Sequence, residues 1–178
     1  LCETLQWKLG AIWFVDQEAK VLRCENIWHW PSAKVEEFVA LSRKITFPSG
    51  RGLPGRVWAN GEAAWIPDVV RDPNFPRAPV AAREWLHAAV GFPIGSGGRI
   101  SGVLEFFSTE ILEPDIALLQ MMSDVGIKIG QFLERKQAEE DLQAKTTQLE
   151  TITGALTAFL ESRDWQDAST RLLSAALH

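Results

Sequence analysis

The chain has 178 residues, 46% of them hydrophobic, and a formal net charge of −5. This size and apolar content suit one folded domain with an additional segment and argue against disorder. The acidic balance favours neither nucleic acid nor an anionic membrane as a partner. No apolar run approaches the roughly 18 residues of a membrane span and no leader pattern is present, so we expect a cytoplasmic segment without membrane contact.

The N-terminal part predicts a helix end, a hairpin and a short helix. Leucines recur every four residues over 1–9, which is typical of a helix. Strand-like runs at 10–16 and 21–30 flank a short turn and predict a β-hairpin. Residues 31–44 begin with helix-entry residues and keep their apolar side chains largely on one side, which predicts a short helix.

The next stretch, "GLPGRVWANGEAAWIPDV", is rich in glycine and proline. Gly52 and Gly55 permit backbone angles closed to other residues and therefore indicate a turn. A short helix over 55–61 is expected to stop at Gly61, which suits a left-handed C-terminal cap. A brief strand within 62–69 follows, so chain turning alone explains the glycines.

An irregular loop and a second hairpin come next. Three prolines and an asparagine over 70–79 predict an ordered loop, and 80–87 can form a helical turn or two. The apolar runs 88–94 and 100–108 flank the Gly-rich turn 95–99, which is the strongest hairpin signal in the chain.

A long helix is predicted from Pro114 to Ser162. Its first part carries apolar residues at helical spacing: Leu118, Met122, Val125, Ile129 and Phe132. After a charged run, coiled-coil spacing follows at Leu142, Leu149 and Leu156, with Ile152 and Phe159 three residues further on. The register changes by a stutter near Phe132. A helix of this length needs a partner helix.

The pattern "GRGLPGRVWANGEAAWIPDV", then "DPNFPRA", then "AAVGFPIGSGGRISGVLEFFS", resembles the GAF domains of bacterial signalling proteins such as sensor histidine kinases and diguanylate cyclases. The resemblance implies an α/β (α+β) fold with an antiparallel sheet of five or six strands flanked by helices, and a ligand pocket on the sheet face. It also implies parallel dimers through the terminal helices. We expect a sensor core over 1–112, a helical linker over 113–162, and the truncated first helix of a following domain over 163–178.

The chain has eight tryptophans, and aromatic residues at this density line cavities or fill cores. One interpretation is a small-molecule pocket lined by Trp65, Phe75 and Trp85, with Asp68, Arg77 or His87 as polar anchors. The alternative is that the tryptophans fill this space themselves, which leaves a domain without a ligand.

The residues argue against several chemistries. The glycines lack the spacing of a nucleotide-binding P-loop, and three scattered histidines supply no metal site. The segment around Pro76 and Arg77 lacks the cysteine that would attach a bilin covalently. His87 is the candidate ligand for haem, although a structural histidine is the simpler interpretation. No other cofactor is indicated.

We therefore predict a non-catalytic sensory module that binds a small molecule or a partner and signals through a helical homodimer to a downstream output domain. The alternatives are a dimerisation spacer without a ligand and an enzyme acting on a thiol-reactive substrate through Cys24. Cys2 and Cys24 lack CxxC spacing and suit reduced thiols, with a single disulfide as the alternative, so their redox state stays open.

Overall fold

The structure is a computed structural model that describes residues 7–161 and Ser169. Six strands form one antiparallel sheet in the order β3-β2-β1-β6-β5-β4. The strands are β1 Leu9–Asp16, β2 Val21–His29, β3 Thr46–Pro48, β4 Ala64–Ile66, β5 Ala89–Ser96 and β6 Arg99–Phe107. The predicted antiparallel sheet of five or six strands is therefore confirmed, and so are both hairpins.

In the described part of the chain, four helices accompany the sheet: α1 Glu36–Lys44, α2 Gly52–Asn60, α3 Ala78–Arg83 and α4 Ile116–Glu161. The chain divides into two compact units between Leu133 and Glu134, and α4 contributes residues to both. The predicted helix over 163–178, with Trp165, Leu172 and Leu173, lies outside the described residues apart from Ser169.

The sheet has two distinct faces because side chains alternate along each strand. The inner face carries Trp13, Glu105 and Phe107, and the outer face carries Ile12, Leu104 and Phe106. Trp13 and Phe107 belong to one hydrophobic core with residues of α1 and α2, and Glu105 is buried beside them. The first part of α4 packs on the outer face, where Gly126 approaches Phe92 and Gly130 approaches Gly95.

The start of the chain differs from the sequence prediction. Residues 1–6 lie outside the described part, but Leu9 belongs to β1 rather than to a helix. Its backbone faces His29 on one side and Phe107 on the other. Its side chain is fully buried in the core. Pairing on both edges of the strand therefore overrides the four-residue leucine spacing.

Helix α1 begins five residues later than predicted, at Glu36 rather than Pro31. The Glu84 carboxylate accepts hydrogen bonds from the backbone N–H groups of Glu37 at 2.7 Å and Phe38 at 2.9 Å. It thereby satisfies two donors at the helix start that have no partner within the helix. A cap supplied from 47 residues away is not visible in the local sequence.

Helix α2 begins at Gly52, three residues earlier than predicted, and Gly61 forms its left-handed cap as expected, with φ 74°. Gly52 itself has φ +67°, and a Cβ there would lie 2.5 Å from the Phe47 ring. Helix α4 begins at Ile116 rather than Pro114, because the Asp115 carboxylate accepts the Leu118 N–H at 3.0 Å.

Candidate functional site

A buried ion pair lies at the centre of the inner face. Arg77 Nη2 donates to Glu105 Oε2 at 2.7 Å, and neither side chain has any solvent-exposed surface. Arginine is always protonated in proteins, so the pair places two opposite charges in the protein interior. Such a pair is stable there only when its remaining hydrogen-bonding groups also find partners.

Two further hydrogen bonds hold the pair. Arg77 Nη1 donates to Ser42 Oγ at 2.9 Å. Trp13 Nε1 donates to Glu105 Oε1 at 2.9 Å, so both carboxylate oxygens accept a bond. The Nε–H of Arg77 is buried and has no acceptor among the described residues. Glu105 is therefore fixed independently of Arg77, whereas the arginine head is not fully satisfied.

Five aromatic rings surround the Arg77 guanidinium, and we call them the aromatic cage. The distances from Cζ to the ring centroids are 4.7 Å for Phe38, 5.1 Å for Phe47, 5.1 Å for Phe75, 5.3 Å for Phe107 and 5.4 Å for Trp13. A cation this close to an aromatic face is attracted by the ring quadrupole, more strongly where water is excluded. The arrangement can therefore hold a planar cation with one carboxylate as counter-charge.

The loop before α3 is fixed by its own side chains, which places Phe75 and Arg77 in the core. Asn74 accepts the Gly52 N–H at 3.0 Å and donates to the Gly50 carbonyl at 2.9 Å. Asp72 forms an ion pair with Arg56 at 2.9 Å. Asp72 and Asn74 of "DPNFPR" thus connect this loop to α2 and to the turn before it.

A second polar cluster joins β4 to the segment before β5. His87 Nδ1 lies 3.0 Å from Asp68 Oδ1, and Arg71 Nε lies 3.4 Å from Asp68 Oδ2. Partial burial raises the pKa of Asp68, but hydrogen bonds from His87 and the Val70 backbone, with the charges of His87 and Arg71, outweigh it and hold the pKa below its usual value. The Asp68 carboxylate is therefore the ionised anchor of this cluster.

Cys24 is a poor nucleophile. Burial, followed by the negative charge of Glu105, raises the pKa of its thiol to about 11. The thiolate is the reactive species of cysteine, and a thiol with this pKa is almost entirely protonated at neutral pH. His29, at the end of the same strand, has its Nδ1 3.1 Å from the Trp30 carbonyl oxygen.

Over the described part of the chain, no group of three or more histidine, cysteine, aspartate or glutamate side chains is placed to hold a metal ion. None of the helices in that same part is long and apolar enough to span a bilayer.

The model of one protein family, described as the GAF domain, matches residues 1–134. This is well over half of the chain. The chain belongs to the GAF domain family.

Solved structures with the same fold include several GAF domains. The GAF domain of a phosphoenolpyruvate-protein phosphotransferase from Coxiella burnetii has a TM-score of 0.65 and 19% identity, covering 79% of this chain and 80% of that one. A GAF domain/HD domain protein from Geobacter sulfurreducens has a TM-score of 0.62 and 12% identity, with 76% and 86% covered. No curated relative matches the sequence.

An enzyme shares the fold as well. A free methionine-R-sulfoxide reductase from Neisseria meningitidis, solved with its substrate, has a TM-score of 0.60 and 23% identity, covering 78% of this chain and 74% of that one. At identities this low, structural similarity shows a shared fold and does not show a shared activity. The chemistry of this GAF domain has to be inferred from its own residues.

The structure brings the six predicted pocket residues together only in pairs. Phe75 and Arg77 meet in the aromatic cage, and Asp68 meets His87. Trp65 lies next to Ile66 on β4 and therefore points to the opposite face, where it contacts Trp7 and donates to the Leu112 carbonyl. Their role in ligand binding stays a prediction.

Trp85 is the sixth of these residues, and it is 73% exposed. Its φ is +59°, in the left-handed region that bulky residues rarely adopt. The next residue, Leu86, is fully buried in its place. Trp85 thus lies apart from Phe75, which belongs to the core.

The partners of Arg77 that lie outside the loop were not predicted from the sequence. Trp13, Ser42 and Glu105 were not among the predicted site residues, and Phe38 was expected only as part of the short helix over 31–44. One signal was available, because Glu105 lies two residues from Val103 and two from Phe107 in the run "VLEFF", and residues at this spacing share one face of a strand. A carboxylate flanked in this way faces the core and requires a buried partner.

The residues assigned to the dimer helix fall into two groups. Met122 is fully buried, and Leu118, Val125 and Ile129 are half-buried. Phe132, Leu142, Leu149 and Leu156 are exposed. Every residue from 134 to 160 is exposed as well. Their role in dimerisation stays a prediction.

Proposed function

We propose that this GAF domain is a non-catalytic regulatory module that senses a small molecule or a partner and transmits the signal through a parallel helical homodimer to an output domain. One observation carries the proposal: Leu142, Leu149 and Leu156 repeat every seven residues and are 67%, 64% and 56% exposed. Large apolar side chains at this spacing are stabilised by a partner helix.

The docking of α4 on the sheet supports a route for the signal. A Cβ on Gly126 would lie 2.1 Å from the Pro93 carbonyl oxygen, and one on Gly130 would lie 2.4 Å from Gly95. At such close approach, a shift of β5 is transmitted directly to the start of the helix. The stutter near Phe132 is a place where two helix packings of similar energy can be accommodated.

Apolar surface on the outer face supports a contact with a second copy. A depression of about 240 Å³ is lined by side chains that include Ile12, Trp28, Leu104 and Phe106. Trp28 is 47% exposed.

A non-catalytic role is supported by the protonated thiol of Cys24.

Sedimentation velocity on the full chain tests the dimer. We expect a dimer at tens of micromolar, a monomer for Leu149→Glu, and a dimer for Thr147→Glu, which places the same charge on the opposite side of the helix. A wild-type monomer would refute the proposal, as would equal effects of the two substitutions.

A second candidate is a dimerisation spacer without a ligand, and it is favoured by one observation. Arg77 fills the space within the aromatic cage, on the face where a GAF ligand pocket is expected. A thermal-shift screen of small molecules separates the two candidates, because a ligand of the folded state raises the melting temperature by mass action. A spacer shows no such rise with any compound.

A further inference from the structure

We propose that the aromatic cage and Glu105 form a recognition site for guanidinium-type organic cations, and that Arg77 is the internal ligand of this site. All residues of this site belong to one chain, so the site does not depend on dimerisation. Aromatic faces combined with a carboxylate are the combination that binds desolvated organic cations.

The site keeps its recognition groups independently of Arg77. The Glu105 carboxylate is held by Trp13 Nε1, and the rings support one another: Phe38 meets Phe107 edge to face at 4.9 Å, and Trp13 meets Phe47 at 5.0 Å. All five rings are also part of the continuous core. Removal of the arginine head therefore leaves the carboxylate and the ring faces in place.

The hydrogen bonds to Arg77 are made to the terminal nitrogens of its guanidinium group and not to the nitrogen that joins this group to the aliphatic part of the side chain. Nη1 and Nη2 each have an acceptor, while Nε, where the stem joins the guanidinium, has none among the described residues. The residue follows an irregular loop and precedes the six-residue helix α3. A free guanidinium of the same shape can therefore make the same hydrogen bonds without the stem.

The matching probe is ethylguanidinium. Arg77→Ala removes Cγ, Cδ and the guanidinium group, and ethylguanidinium contains the same atoms with the same charge. N-ethylurea has nearly the same shape but no charge, so it serves as the matched control compound. At millimolar concentration neither compound acts appreciably as a denaturant, because denaturation needs molar amounts.

Thermal unfolding of the full chain is the test. We expect ethylguanidinium to raise the melting temperature of Arg77→Ala by about 4 °C at about ten times its dissociation constant. N-ethylurea should raise it by much less. Wild type should not respond, because Arg77 occupies the site. Arg77→Ala/Glu105→Gln should lose the response, because the counter-charge is gone.

Three results would overturn the assignment: no rise in Arg77→Ala, an equal rise in wild type, or an equal rise with N-ethylurea. If Arg77→Ala does not fold alone, refolding from urea is followed by near-ultraviolet circular dichroism of the tryptophans. Recovery of the folded signal with ethylguanidinium and not with N-ethylurea then supports the site, and recovery with neither refutes it.

Discussion

Burying Arg77 and Glu105 removes two full charges from water, which costs several kcal/mol per ion unless each compensates the other. The 2.7 Å bond between them, the Ser42 hydroxyl and the Trp13 indole provide this compensation. The two charges therefore compensate each other only as a pair. Replacing one residue leaves the other as an uncompensated buried charge, which lowers the free energy of unfolding.

Replacement of Arg77 by methionine tests this coupling. Methionine fits among aromatic rings, but it leaves Glu105 as a lone buried charge, so we expect the free energy of unfolding to fall by about 3 kcal/mol. Adding Glu105→Gln should restore part of the loss, since glutamine is neutral and still accepts the Trp13 N–H. Urea unfolding measures both, and a double variant less stable than Arg77→Met would contradict the prediction.

Asp68 gives the chain a specific acid dependence. The pKa of Asp68 is lowered in the folded state. Its contribution to stability is therefore fully present above its pKa in the unfolded state, about 4, and is lost as the pH falls through its pKa in the folded state. Asp68→Asn should therefore destabilise by about 1 kcal/mol at a pH well above that value, through its weaker bond to His87. The difference from wild type should shrink in strong acid.

Urea titrations of both proteins at mildly and strongly acidic pH measure this difference. As a control, Asp124→Asn changes an exposed carboxylate on α4 and should leave the pH dependence unchanged. A constant difference between Asp68→Asn and wild type across the two conditions would show that the carboxylate charge contributes nothing.

At this scale the sequence predicted residue types better than their arrangement. Arg77 and Phe75 were expected to share a site, and they do meet. Their partners lie on distant strands and helices, since Trp13 and Glu105 are 92 residues apart. A single sequence does not report which distant residues are in contact. Its "NFPR" stretch predicts an ordered loop but not the direction in which the side chains of that loop point.

Helix α4 contains two glycine environments that the sequence does not distinguish. A Cβ on Gly130 would lie 2.4 Å from the Gly95 backbone, whereas no atom of the described residues lies within 4 Å of a Cβ on Gly154. The first glycine allows close docking on the sheet, and the second only weakens the helix.

The two Gly→Ala substitutions should therefore have opposite signs. Gly130→Ala should destabilise the domain by about 1 to 3 kcal/mol, because the neighbouring atoms are backbone and cannot move aside easily. Gly154→Ala should stabilise the helix by up to about 1 kcal/mol through higher helix propensity. Thermal unfolding by circular dichroism measures both, and a stabilising Gly130→Ala would rule out close docking.

Elements with local signals were predictable. The turn "GSGGR" located the β5–β6 hairpin, and Gly61 located the end of α2. Element starts were less accurate where the cap comes from elsewhere, as with Glu84 at α1. The strand at Leu9 was missed because its stabilising partners, β2 and β6, are not visible in its leucine spacing.

For the whole molecule, the decisive feature is that β1 lies inside the sheet between β2 and β6. Strand order of this kind was not predicted, because pairing of the first strand with the last is a long-range property that residue spacing does not report. The same order makes the sheet depend on both ends of the domain.

Truncation tests this dependence. A chain ending at Gly98 retains all of β1 to β5 but lacks β6, so β1 and β5 each lose a neighbour, and we expect no cooperative unfolding transition. A chain ending at Leu133 retains all six strands and the docked part of α4, and it should unfold cooperatively. Cooperative unfolding of the shorter chain would contradict the prediction.

The inner position of β1 also has a consequence during synthesis. The second edge of β1 stays unpaired until β6 leaves the ribosome. The hydrogen-bond acceptor of Trp13, Glu105, is synthesised 92 residues later. At about 5 to 20 residues per second this interval is roughly 5 to 20 s. A nascent chain that carries a strand edge open for that long can pair with neighbouring nascent chains, because an unpaired edge is a template for another strand.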